Sequence, residues 1–245
     1  MNKADKAVSL AAHGGAPQGT LVQSAVRAIL DYIRDQKLKV GDPVLSEGEF
    51  VQRLGVSRTV VREAFKVLAA INIIEAGVGR RAKVSGFDES VMAMTLSHGL
   101  RTEQVTLQQV WDVRRAIEMR TVVLACMHRT DREAAQLLDL ADKILETHND
   151  IVTMTEHDIA FHTSIARCSH NPLFPVLIAS LTTAMRDTNP VVWQVRTSEE
   201  ERLEVVDWHT SIAQAIDQRD TKEAMKAMSK HFDQAMLSLV NSGFN

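Results

Sequence analysis

Four ionisable side chains stand where the surrounding sequence pattern calls for an apolar core. Asp158 and His162 are four residues apart on a stripe with Met154, Phe161 and Ile165. His209 shares a stripe with Ile212, Ala213 and Ile216, and His231 shares one with Met228, Phe232, Ala235 and Leu239. Spacings of three and four put each set on one face of a helix. Burying a polar group without a partner costs on the order of 1–3 kcal/mol, and burying a charge costs more. Four such groups on the inward faces of three helices therefore call for a common partner. One carboxylate and three imidazoles are a ligand set for a divalent transition metal, zinc foremost, with nickel or manganese as alternatives. A lone histidine on an apolar face is more often a hydrogen-bonded core residue, so the metal rests on the set of four. His98, His128, His148, His157 and His170 have no comparable setting.

A second constellation lies nearer the N-terminus. Arg58, Arg62 and Lys66 are spaced by four and share one helical face, while Val61, Ala64, Phe65 and Leu68 form the face to be buried. In helix-turn-helix docking the first turns of the recognition helix meet base edges in the major groove. An arginine fork there can bond guanine O6 and N7 together. Ser57 and the helix N-terminus can contact phosphate. The alternative is that Arg58 and Arg62 are solvated charges, with Arg62 paired to a nearby acid.

The elements that must hold these groups are also legible. Thr20 is a plausible N-cap for a helix to about Lys37, with Leu21, Val22, Ala25, Val26, Ile29 and Ile33 as its apolar stripe. Lys39 to Pro43 reads as a turn. Ser46 and Glu49 form a capping box that opens a short helix ended by Gly55, and Ser57 caps a third helix to about Ala70. Residues 73–76 and 82–84 read as short strands around a turn at 77–81. Two short helices followed by a hairpin make a winged helix-turn-helix. Ser85 to Asp88 is the expected linker. Beyond it no strand is predicted, and Thr130 with Glu133, Ser198 with Glu201 and Asp220 with Glu223 are further capping signatures. The expected fold is mostly α. It comprises a tail over 1–19, read as disordered, a winged helix over 20–84, a linker over 85–89 and an antiparallel bundle of about six or seven helices over 90–241.

Composition fits this division. Residues 1–86 carry 13 lysines and arginines against 8 acidic residues, a net +5, while the remainder carries 15 against 23, a net −8. A basic end on an acidic body suggests that one end approaches nucleic acid. No apolar run reaches the ~18–20 residues of a membrane span, and no stretch of the N-terminus reads as a signal peptide. The two cysteines, Cys126 and Cys168, form no CxxC. They fit a reducing cytoplasm better than a disulfide framework.

Gly41-Asp42, Ser46-Glu47 and the run Leu54-Gly55-Val56-Ser57-Arg58-Thr59-Val60-Val61-Arg62-Glu63-Ala64 closely resemble the GntR family of bacterial regulators over about residues 20–84. The resemblance implies binding, as a homodimer, to a short inverted repeat in double-stranded DNA. The family's recognition arginines carry over onto Arg58 and Arg62 and its wing-tip glycine onto Gly79. The candidate DNA face is Ser57, Arg58, Thr59, Arg62, Gly79 and Arg80. Gly48, Asn72 and Leu45 depart from the family pattern, which commonly has arginine, glycine and proline there. These departures bear on the operator sequence; Arg53 is a possible substitute for the missing arginine.

The helical part resembles the FadR-type ligand-binding domain, the FCD domain, over roughly residues 90–240. Its metal-binding members have Asp-x-x-x-His and two later single histidines, which Asp158, His162, His209 and His231 match one by one. The acyl-CoA-sensing branch lacks these ligands. Residues 110–118 resemble the domain's first long helix, and its pocket arginine carries over onto Arg114. That residue could clamp a carboxylate bidentately, or it could pair with Glu118 at i+4. Asn171-Pro172 matches a family turn and reads as a helix start. The metal together with the candidate clamp Arg114 points to a small hydroxy- or sugar-acid carboxylate as effector, the resemblance implies a repressor, and no enzyme is expected. Two other readings stand beside it. His157-Asp158 is the dipeptide used by metal-dependent phosphohydrolases, and the metal could be purely structural in a constitutive DNA-binding protein.

Overall fold

A computed structural model describes residues 18–75, 77, 80–194 and 198–241. The chain is mostly helical and divides into two compact units, one ending at Val91 and the other beginning at Met92.

In the first unit α1 (Gln18–Asp35), α2 (Glu47–Leu54) and α3 (Arg58–Ala70) precede a two-stranded antiparallel hairpin. Helix α1 begins at Gln18, so Thr20 lies inside it and is not its cap, and the stretch read as a disordered tail already turns helical at its end. The other residues of that tail lie outside the described ones. Helix α2 opens on the expected box: the Glu49 amide donates to Ser46 Oγ at 3.3 Å and the Ser46 amide to Glu49 Oε2 at 2.7 Å. Gly55 closes it at φ 66°, a left-handed conformation that glycine adopts without steric cost. Ser57 caps α3, accepting from the Val60 amide. Strands β1 (Ile74–Glu75) and β2 (Lys83–Val84) pair Ile74 with Val84 and Glu75 with Lys83. Of the residues read as strand, Ile73 and Ala82 lie outside the two strands, the Ala82 carbonyl accepting from the Val44 amide, and Ala76 lies outside the described residues. The core joins Ala25 and Ile29 of α1, Phe50 and Leu54 of α2, Val61, Ala64, Phe65 and Leu68 of α3, and Ile74 and Ala82 of the hairpin. The Phe50 ring packs edge-on against Tyr32 and Phe65.

The second unit is built from α4 (Ser90–Arg101), α5 (Leu107–His128), α6 (Asp131–Glu146), α7 (Ile151–Cys168), α8 (Leu173–Ser180), α9 (Thr182–Gln194), α10 (Glu199–Asp217) and α11 (Thr221–Asn241). These are eight helices among the described residues, where six or seven were expected. Asn171-Pro172 opens α8 as expected, and a break at Leu181 separates α8 from α9. Thr106, Thr130 and Ser198 each close a capping box, and Asp220 accepts from the Glu223 amide. Helices α5, α6, α7, α10 and α11 share one core, in which Trp111, Leu137, Ile144, Phe161, Ile212 and Phe232 are buried. Arg219 fastens the end of α5, donating to the Cys126, Met127 and Arg129 carbonyls at 2.9–3.2 Å. Cys126 and Cys168 are buried and free. No helix among the described residues is long and apolar enough to cross a membrane.

Candidate functional site

The candidate DNA face is the simpler of the two sites. Capping by Ser57 sets the first turn of α3, and four-residue spacing then leaves Arg58, Thr59, Arg62 and Lys66 exposed while Val61, Ala64 and Leu68 are buried. Lys66 pairs with Glu63 at 3.0 Å. Arg58 and Arg62 enter no ion pair among the described residues, so the pairing weighed for Arg62 is not what the fold does with it. Arg80 is exposed beside the hairpin. Gly79 lies outside the described residues. Arg53 stacks 5.3 Å over the Tyr32 ring.

On α2, Glu49 serves both its capping box and Arg81, whose guanidinium donates to Oε2. Arg81 first, and Ser46 second, hold the Glu49 carboxyl down at about 2. Asn72, where the family commonly has glycine, takes φ 52°, and its amide donates to Asp88 Oδ2 at 2.6 Å.

The second site lies inside the helical unit. Asp158 and His162 come from α7, His209 from α10 and His231 from α11; all four are buried, and one donor atom of each falls within 4.8 Å of every other. The three imidazoles are mutual neighbours, with ring centroids 4.6–5.7 Å apart. His209 Nδ1 faces the Val205 carbonyl at 2.9 Å and His162 Nδ1 faces Glu118 Oε2. Both partners can only accept, so each neutral ring carries its proton on Nδ1 and a lone pair on Nε2. Those lone pairs converge on one oxygen: His209 Nε2 is 2.9 Å and His162 Nε2 3.5 Å from Asp158 Oδ1. Lone pairs meeting a carboxylate oxygen repel unless positive charge sits among them.

The electrostatics agree. Burial alone would raise the Asp158 carboxyl, but His162 and His209 outweigh it and hold it well below the ordinary range. Burial likewise opposes ionisation of Glu118 and is overcome by Arg114 and His162. Burial would lower His162, but Glu118 and Asp158 on either side raise it. The pocket thus attracts a proton or another cation at this point. His231 goes the other way: burial first, then His209 and His162, push it well below the usual imidazole value, so it stays neutral. Neither of its ring nitrogens has a hydrogen-bond partner, nor has His162 Nε2. A neutral imidazole with an unused lone pair is the form that ligates a metal. These four side chains therefore fit a divalent ion.

Arg114 is buried on α5, one turn from Glu118, and both readings weighed from sequence bear on it. Its Nε donates to Glu118 Oε1 at 2.5 Å, the structural bridge. Its guanidinium packs 4.8 Å from the Trp111 ring centre and 5.3 Å from that of Phe232. Its two terminal nitrogens are buried with no partner. A small cavity of about 30 Å³, roughly the space of one water, reaches the cluster. It is lined by Trp111, Met154, Asp158, Asn189, Trp193 and His209 among others, and Arg114 is not one of the lining residues. His157 turns away from the cluster to Thr147 Oγ1, at 3.0 Å. The phosphohydrolase-like dipeptide is thus split between two environments.

Sequence reasoning missed two residues here. Asn189 on α9 donates to Asp158 Oδ2 at 3.0 Å, and nothing in its spacing pointed to that. The i+4 spacing offers Glu118 only as a partner for Arg114, although it also holds His162. A signal existed: Arg114 and Glu118 are two charges on a stripe with Val110, Trp111, Thr121, Val122 and Ala125, all buried.

Comparison with known proteins places this architecture. The family model "Bacterial regulatory proteins, gntR family" matches residues 21–84, and the FCD domain model matches residues 109–234. The Glc operon transcriptional activator of Escherichia coli K12 is 30% identical over 219 residues, covering 86% of this chain and 84% of that protein. The regulator LutR of Bacillus subtilis is 26% identical over 203 residues, 81% of this chain and 92% of its own. The repressor NanR of Cronobacter sakazakii is 25% identical over 205 residues, 82% and 78% of the two chains. Among solved structures, Streptococcus agalactiae GntR shares the fold, with TM-score 0.68 and 24% identity over 89% of this chain and 99% of that one. The winged helix with its exposed arginine face and the FCD domain enclosing one aspartate and three histidines thus occur in a chain whose relatives regulate transcription, and the chain belongs to the GntR family as a DNA-binding regulator of the FadR type.

Proposed function

We propose that this regulator is a repressor whose grip on its operator is released by a small hydroxy- or sugar-acid carboxylate bound beside a divalent metal, zinc foremost. The observation that carries the reading is the convergence of His162 Nε2, His209 Nε2 and Asp158 Oδ1 next to a cavity, with Arg114, two of its guanidinium nitrogens unpartnered, joined to His162 through Glu118. Asp158, His162, His209 and His231 would hold the ion. Bound there, a divalent cation supplies a positive centre that a carboxylate oxygen can ligate. Arg114 offers the complementary half: its Nε is spent on Glu118, and its free fork suits a second carboxylate oxygen. Trp111 and Trp193 wall the cavity with apolar surface, which strengthens both charge contacts by excluding water.

Control of DNA binding requires the ligand to bind the DNA-competent and DNA-released arrangements with different affinity. The Glc operon relative is named an activator and NanR a repressor. The sign proposed here is therefore tested directly, by a reporter behind the operator that must rise when the effector is supplied. The ligand class is tested by a thermal-shift screen of hydroxy- and sugar-acid carboxylates with and without chelator. Stabilisation should be confined to a few carboxylates and vanish with the metal. Arg114→Ala should still bind operator but no longer respond to the selected compound. A response at the wild-type concentration would remove Arg114 from the pocket.

A further inference from the structure

Glu118 joins two groups that the proposed function uses separately. It is wholly buried on α5, and its two oxygens are committed to different donors: Oε1 accepts from Arg114 Nε at 2.5 Å, and Oε2 from His162 Nδ1. His162 lies on α7, 44 residues further along the chain, so the pairing belongs to the packing of α5 on α7. Resting on the metal-and-carboxylate reading above, we propose that Glu118 is a positioning residue for both halves of the site. It fixes the Nδ1–H tautomer that turns the His162 Nε2 lone pair toward Asp158, and it holds Arg114 by Nε so that the two terminal nitrogens stay free. One carboxylate thus prepares the metal site and the anion clamp together.

A carboxylate has two acceptor oxygens and no donor, so it can serve Arg114 and His162 at once. A carboxamide has one oxygen and one NH2. In Glu118→Gln the permanently charged guanidinium takes the oxygen, because an NH2 facing it would repel. The NH2 is then left against His162 Nδ1, which must accept. A neutral ring accepting on Nδ1 carries its proton on Nε2, the atom 3.5 Å from Asp158 Oδ1. The ligating lone pair is lost. Removing the arginine as well reverses this: with Arg114→Met beside Glu118→Gln, the amide is free to turn its oxygen to His162. The second substitution therefore restores what the first destroyed. Two substitutions that merely loosen the core would not do so, since their costs accumulate.

The test is zinc affinity of the full chain, by competition with a chromophoric chelator, together with 15N-histidine NMR of the His162 ring. Glu118→Gln should weaken zinc binding about 10- to 100-fold, the usual effect of losing the partner of a ligating histidine, and should remove the Nδ1–H signal. The double variant should recover the affinity of Arg114→Met alone. Should Glu118→Gln fail to fold, the pair Arg114→Met/Glu118→Gln and Arg114→Met/Glu118→Leu carries the same question without a buried charge. Only Gln offers His162 an acceptor, so the Leu variant must bind zinc about 10- to 100-fold more weakly. Wild-type zinc affinity with a retained Nδ1–H in Glu118→Gln would overturn the inference, as would equal affinities in the Gln and Leu pair. An unsubstituted chain that binds no zinc would overturn the metal reading itself, and this inference with it.

Discussion

His231 gives the sharpest test of the reasoning behind the cluster. It is buried, with both ring nitrogens unpartnered, and burial keeps it neutral. An unsatisfied buried polar group costs about 1–3 kcal/mol, so in metal-free protein this imidazole is a liability. His231→Leu replaces it with an apolar side chain of similar bulk, against Met228, Phe232 and Ala235. Taking about 2 kcal/mol for the relief, and about 2–4 °C per kcal/mol for a unit of this size, the variant should melt about 4–8 °C above wild type in chelator. With metal the order should invert. At free metal a thousandfold above Kd the wild type gains about 4 kcal/mol, which leaves it about 2 kcal/mol ahead of a variant that has lost a ligand. Differential scanning calorimetry at about pH 8, where unfolded histidine is also neutral, reads both orders. A variant that melts below wild type in chelator would refute the claim that these nitrogens lack a partner.

Three further outcomes follow from the other elements. Arg58→Ala should lose about 1–3 kcal/mol of operator affinity at fixed salt, with relaxed preference at one base; fluorescence anisotropy against operator and random DNA reads this, and unchanged discrimination would move the base contact elsewhere. The protein should sediment as a dimer at micromolar concentration, because an inverted-repeat operator needs two recognition helices related by the same symmetry; monomers both with and without DNA would contradict it. Glu49 titrates at about 2 in the fold against 4.5 unperturbed. A lowered carboxyl contributes stability that is complete above 4.5 and is lost as pH falls from there toward 2. Glu49→Gln should therefore flatten the acid limb of the stability-against-pH curve over that window, and an unchanged slope would mean that Arg81 and Ser46 do not hold the carboxylate in solution.

What the sequence determined by itself is whatever depends on neighbours a few residues away. The boxes at Ser46, Thr130 and Ser198 are legible because a cap and its partner lie three residues apart. Arg58 and Arg62 face outward, and Asp158, His162, His209 and His231 inward, because helical periodicity assigns each a face before any packing occurs. The tertiary structure decided what those faces meet. It put three helices close enough for four donor atoms to converge. It brought Glu118 of α5 to His162 of α7, and Asn189 of α9 to Asp158. It also gave Arg114 its bonding: one nitrogen bonds Glu118 and two have no partner. No spacing rule encodes these contacts. Those of Glu118 with His162 and of Asn189 with Asp158 join side chains 44 and 31 residues apart, and their geometry exists only once the helices have packed.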